Sequence, residues 1–136
     1  MELTPIQKDI IQAKVCPYCK CSTRVVDEVF IYGRTYNNKL MIACKNFPQC
    51  DSYVGTHADG EPLGRLANKE LRSWKKKAHE SFDVIWRNKH MGRNAAYEEL
   101  ADFLMIPDKY CHIGMFKKET CIKVVAWSKL KIAELV

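Results

Sequence analysis

The sequence predicts an α+β chain: a short N-terminal helix, a small three-stranded antiparallel sheet and a three-helix region. Three observations predict it. Four cysteines fall in two close pairs, Cys16/Cys19 and Cys44/Cys50. β-branched and aromatic runs fill the interval between the pairs. Beyond residue 68 the apolar residues recur at helical spacing instead.

The elements follow in order. Thr4-Pro5 reads as an N-cap with proline at the first helical position, and Ile6, Ile10, Ile11 and Ala13 give a short amphipathic helix ending near Lys14. Cys16-Pro17-Tyr18-Cys19 makes a tight turn. Arg24 to Tyr32, rich in Val, Phe and Ile, reads as one long strand, and Gly33 to Asn38 as its turn. Lys39 to Ala43 returns as a second strand that delivers Cys44, and a looser turn leads to Cys50. Tyr53 to Thr56 supplies a third strand. Residues 58–64 (Ala-Asp-Gly-Glu-Pro-Leu-Gly) form a turn-rich connector. Asn68 caps a helix to about Arg87, with Leu71, Trp74, Ala78, Phe82 and Ile85 on one face. Asn94 caps another, with Tyr97, Leu100, Ala101 and Leu104 on its buried side, and a last helix runs from about Lys117 toward Leu135. The expected domains are a helix at 1–14, a ribbon at 15–60 and a helical domain at 61–136.

The cysteine spacing C-x2-C-x24-C-x5-C carries the chemistry. A two-residue gap aims two sulfurs at one ion, and Zn2+ accepts four thiolates as a tetrahedron. Cys16, Cys19, Cys44 and Cys50 are therefore the expected ligands of one structural zinc, and the sheet between them becomes a zinc ribbon. A closed four-sulfur site leaves no coordination position for a substrate, so the metal points to a binding module and not to an enzyme. Cys21, beside the first turn, reads as a spare thiol or as a substitute for Cys19. Cys111, His112 and Cys121, with His57, His79 or His90, are weighed as a second metal site. The adjacent Cys111-His112 lacks knuckle spacing, and packing or loop hydrogen bonding accounts for these residues better. No paired catalytic carboxylates, phosphate-binding glycine loop or nucleophile motif is present.

The chain has 136 residues and a formal charge of +6. Four thiolates and one Zn2+ lower this to about +4. Residues 1–64 hold seven basic and seven acidic side chains, so the whole excess lies in residues 65–136. Residues 65–93 alone carry nine Lys/Arg against three acids. On a helical wheel Lys69, Arg72, Lys76 and Arg87 lie together, opposite Leu71 and Trp74. With Arg65, Lys75, Arg24 and Lys45 they form the expected footprint for a nucleic-acid backbone, DNA or RNA. Glu80 and Asp83 share that face at spacings that pair Lys76 with Glu80 and Asp83 with Arg87, which is how a solvated helix keeps itself soluble. Phe47, exposed by its turn, is a stacking candidate for unpaired bases, with Tyr18 and Tyr53 nearby. Trp74 and Trp86 are expected in the core. No signal-like or membrane-spanning apolar run is visible, and paired cysteines without one suggest a reducing cytoplasm.

Two resemblances are carried by named residues. Cys16-Pro17-Tyr18-Cys19 and Cys44-Lys45-Asn46-Phe47-Pro48-Gln49-Cys50 resemble the knuckles of the C-terminal zinc ribbons of bacterial type I DNA topoisomerases, over residues 16–56. Lys20 stands where those knuckles usually have glycine. A left-handed residue there costs about 1 kcal/mol, so the turn is expected to be adjusted. The chain as a whole resembles a family of small zinc-finger-containing proteins of phage and prophage type. The four cysteines, residues 62–68 (Pro-Leu-Gly-Arg-Leu-Ala-Asn), Lys77-Ala78-His79 and residues 111–116 (Cys-His-Ile-Gly-Met-Phe) carry it. That resemblance implies a ribbon followed by helices and no particular activity. A second expectation is therefore kept: a protein-interaction module that docks on and modulates a host or phage enzyme.

Overall fold

A computed structural model describes residues 3–135. The chain divides into two compact units, the first ending at Lys69 and the second beginning at Glu70.

The first unit opens with helix α1 (Pro5–Ile11). Its start is a capping box: Gln7 N donates to the Thr4 hydroxyl at 3.3 Å, and Thr4 N donates to Gln7 Oε1 at 2.8 Å. Strands β1 (Thr23–Asp27), β2 (Leu40–Cys44) and β3 (Tyr53–Gly55) form an antiparallel sheet in the order β1-β2-β3. Thr23 pairs with Cys44 and Asp27 with Leu40, while Met41 faces Gly55 across the other edge of β2. β2 is central, so Met41, Ile42, Ala43 and Cys44 are all buried.

The expected long strand over 24–32 is corrected. It ends at Asp27, and Glu28–Tyr32 form a helical turn, α2. The local polar chemistry overrides the β propensity of Val29, Phe30 and Ile31. Asp27 Oδ1 accepts from Phe30 N at 2.9 Å as an N-cap, and Gly33 closes the turn with a left-handed φ of 79°. Glu28 is buried, and its carboxylate accepts the backbone N–H groups of Tyr36, Asn37 and Lys39. One side chain thus satisfies the whole 36–39 loop. After β3, residues 61–68 stay bonded to the sheet: Leu63 N donates to Gly55 O, and Ala67 exchanges two backbone bonds with Tyr53.

The second unit contains α3 (from Lys69 to Arg87), α4 (Arg93–Leu104) and α5 (Lys118–Leu135), with two 3-10 turns at Asp108–Tyr110 and Ile113–Met115. Leu71, Ala78, Phe82 and Ile85 of α3 are buried, as the periodicity predicts. Trp74 and Trp86 are only half-buried: Lys77 lies over the Trp74 ring, and Trp86 Nε1 donates to Asp83. α4 starts two residues earlier than Asn94 would set it, with Gly92 at the N-cap and no side-chain cap. The fully buried side chains Phe82, Ile85, Leu100, Ile113 and Val124 make this an ordinary apolar core.

Candidate metal centre

The core of the first unit is smaller. Its buried cluster is Ala13, Cys16, Ile42, Cys44, Val54 and Leu66, with Cys21 and Cys50 packed against it. Cysteine side chains thus share this small core with Ile42, Val54 and Leu66.

Two turns deliver the sulfurs. In the first, Cys16 N donates to Cys21 O and Lys20 N to Cys16 O. Lys20 takes the left-handed conformation itself, with φ 63°. The expected adjustment of this turn does not occur; the lysine adopts the glycine conformation, and its Nζ donates to Pro17 O at 2.6 Å. In the second turn Phe47 N donates to Cys44 O and Cys50 N to Asn46 O, and the register of β2 fixes Cys44 opposite the start of β1.

The four sulfurs of Cys16, Cys19, Cys44 and Cys50 lie within 4.8 Å of one another. Cys19 Sγ is 3.3 Å from Cys44 Sγ, and Cys16 Sγ is 3.6 Å from Cys50 Sγ. A tetrahedron with Zn–S bonds of about 2.3 Å has sulfurs about 3.8 Å apart, so the geometry and the all-thiol donor set fit Zn2+. These four cysteines form a site for one zinc ion. Polar groups surround it. The fully buried Ser52 places its hydroxyl 3.2 Å from Cys16 Sγ and 3.4 Å from Cys50 Sγ. Asn46 N donates to Cys44 Sγ, and Asn46 Nδ2 lies 3.2 Å from Cys21 Sγ and 3.8 Å from Cys19 Sγ. Ser52 and Asn46 gave no sequence signal beyond standing next to ligands.

The thiols differ in acidity. The Cys21 backbone N–H and the Cys44 side chain draw Cys19 down to about 6. Burial pushes Cys44 up to about 12 and raises Cys50 as well. Metal binding at neutral pH therefore displaces protons from Cys44 and Cys50.

Among the described residues this is the one cluster of metal-ligating side chains. The second site weighed at Cys111, His112 and Cys121 does not form. Cys111 is buried, its thiol raised to about 11 by that burial, and its Sγ lies 3.7 Å from Tyr97 O. Cys121 is buried in α5, and His112 is exposed.

With the site in view, the comparison with known families is decisive. Residues 12–131 match a family described as a zinc-finger-containing domain. The chain belongs to that zinc-finger-containing family. The match spans the ribbon and nearly all of the helical unit, so in this family the metal module and the helices go together. No curated protein and no solved structure matches the chain. No helix among the described residues is long and apolar enough to cross a membrane.

The remaining expected site residues fall as follows. Arg24, Lys45, Lys69, Lys76 and Arg87 are exposed, whereas Arg65, Arg72 and Lys75 are half-buried. Asp83 is ringed by partners: Arg87 Nη2 at 3.8 Å, His79 Nδ1 at 3.6 Å and Trp86 Nε1 at 3.1 Å. Glu70 is taken by Lys118 at 2.6 Å. Phe47 is half-buried between Phe30 and Tyr53, with ring centroids 5.6 and 6.0 Å away. Tyr18 accepts from Asn68 N at 3.1 Å.

Proposed function

We propose that this zinc-binding protein is a nucleic-acid-binding module of phage or prophage type, acting in the cytoplasm and gripping mainly the backbone. The observation that carries the reading is the state of the acids along α3. Two of the three carboxylates in residues 65–93 are engaged, Glu70 by Lys118 and Asp83 by Trp86, His79 and Arg87. Exposed Lys69 and Lys76 remain on the basic side with Arg72, and Arg24 and Lys45 add exposed cations on the ribbon. Such a distribution favours phosphate contacts over base readout. With four thiolates filling the coordination sphere, zinc serves the fold, and we read the protein as a binder and not an enzyme.

Fluorescence anisotropy with single- and double-stranded DNA and RNA at two salt concentrations tests this. The expected result is micromolar or tighter binding at low salt that weakens as salt rises. Lys69→Ala and Lys76→Ala should each flatten the log–log salt slope by about 0.9 on duplex DNA and about 0.7 on single strands. Absence of binding at low salt removes the reading.

A second reading has its own observation. Phe103, Met105 and Leu130 of the helical unit are 51, 84 and 73% exposed, large apolar side chains that a protein partner such as a host or phage enzyme would cover. Pull-down from lysate with and without nuclease separates the two: a partner that survives nuclease favours docking on protein.

A further inference from the structure

We infer that the ribbon carries a binding site for single-stranded nucleic acid, made of five aromatic rings in a row with an arginine over each end. The inference rests on the nucleic-acid reading above and names the form of ligand that this part of the molecule selects.

The row runs Phe30, Phe47, Tyr53, Tyr32, Tyr36, with successive centroids 5.6, 6.0, 5.9 and 5.3 Å apart. The rings come from α2, from the second cysteine turn, from β3 and from the loop before β2. Folding alone brings them together, because the helical turn at 28–32 replaces a strand. None belongs to the buried cluster around the cysteines. Phe30, Tyr32 and Tyr36 are 42, 44 and 57% exposed. Arg24 Cζ sits 4.5 Å over the Phe30 ring, and Arg34 Cζ sits 4.5 Å over the Tyr36 ring.

The arrangement fits an unpaired strand for three reasons. The pairs from Phe47 to Tyr36 meet near edge-on, at 80–89°, so no two of these rings are stacked face to face, and Phe30, Tyr32 and Tyr36 keep exposed ring surface. Bases stack on such faces whatever their identity. Neighbouring rings are also farther apart than the roughly 3.4 Å rise of stacked bases, so bases that meet successive rings must be splayed, which a duplex forbids. Finally, the local charge suits a polyanion. Between residues 24 and 47 stand four cations (Arg24, Arg34, Lys39, Lys45) and two carboxylates, Asp27 and Glu28. Both carboxylates accept backbone N–H groups, and the segment keeps a net charge of +2. A purely apolar partner would gain nothing from guanidinium groups at both ends of the row.

The test uses the full zinc-loaded chain and a labelled oligothymidylate of about 12 nucleotides, alone and annealed to oligodeoxyadenylate. The single strand should bind at least about tenfold tighter than the duplex near physiological salt. Phe30→Leu and Tyr36→Leu keep apolar bulk but remove the π face. Each should weaken single-strand binding about tenfold and leave duplex binding unchanged, whereas Lys76→Ala should weaken both alike. Zinc content per chain shows whether each variant is folded. Should a variant lose zinc, the parent protein decides: Phe30 and Tyr36 ring protons must shift upfield in NMR spectra on titration with the strand. Equal affinity for strand and duplex, zinc-loaded leucine variants that bind like the parent, or unmoved ring resonances overturn the inference and leave backbone binding standing. Binding of neither form overturns both.

Discussion

Single residues carry unusual weight in the ribbon. Lys20 holds φ 63° at the first knuckle, a conformation that costs an L-residue roughly 1–2 kcal/mol, while glycine there gives back some chain entropy. Lys20→Gly should therefore raise the stability of the zinc-loaded chain by about 0.5–1 kcal/mol, read by denaturant unfolding. Ser52 acts in the opposite sense. Its hydroxyl lies 3.2 Å from Cys16 Sγ and 3.4 Å from Cys50 Sγ, so its single O–H can donate to one thiolate at a time and disperse its negative charge. Ser52→Ala should weaken zinc affinity by about 10-fold and speed zinc transfer to a chelating dye, with the sheet intact when zinc is in excess. At this scale the sequence was half legible. The ligands announce themselves by spacing, and the loss of glycine at position 20 was visible. That the lysine would adopt the glycine conformation was not, because its compensating bond to Pro17 O depends on where a flexible chain ends up.

Among the elements, α2 teaches most. Val29, Phe30, Ile31 and Tyr32 favour a strand, yet Asp27, Glu28 and Gly33 are N-cap, first-turn acid and C-cap of a helix. Those cues were in the sequence, and the apolar run outweighed them. What no local pattern carries is the reach of the Glu28 carboxylate to the amides of residues 36, 37 and 39. These bonds, led by that from Tyr36, hold the Glu28 carboxyl below its usual range. The sign follows: the group stabilises the loop at pH values above the ordinary carboxylate pKa, and the effect is lost as pH falls through the lowered folded value. Glu28→Gln should speed amide exchange at Tyr36, Asn37 and Lys39 at neutral pH, with little change at the amides of α3. Unchanged exchange would mean that the loop is held by something else. The helices of the second unit were easier to read, since a 3.6-residue apolar rhythm survives in Leu71, Ala78, Phe82 and Ile85. The start of α4 was misplaced because Gly92 caps without a side chain and leaves no signature.

On the scale of the whole molecule, two units rest on different physics. The helical unit buries hydrocarbon; the ribbon buries sulfur that needs a metal. Chelation of the full chain should abolish the dispersed amide resonances of β1, β2 and β3 while most helical circular dichroism remains. Acid should act the same way. Cys44 and Cys50 are raised, so they are protonated in the metal-free site at neutral pH, and zinc must expel both protons. Apparent zinc affinity should fall by at least about 100-fold for each unit of acidification below pH 8, and ribbon stability with it. Zinc competition titrations at several pH values measure that slope, and a flat profile would contradict it. Composition revealed this division in outline, since the cysteine pairs precede the helical periodicity. The bonds by which Leu63 and Ala67 keep residues beyond 60 on β3 have no local signal.

The row of rings and the cluster of sulfurs occupy one small body, and that has a consequence for control. An agent that strips the ion, whether a competing thiol-rich protein or an oxidant that pairs the cysteines, never needs to approach the aromatic face to silence it. Metal supply would then govern ligand capture through the turn that carries Phe47 between Cys44 and Cys50, and the protein would answer to the state of the cell's thiols as well as to the amount of its target.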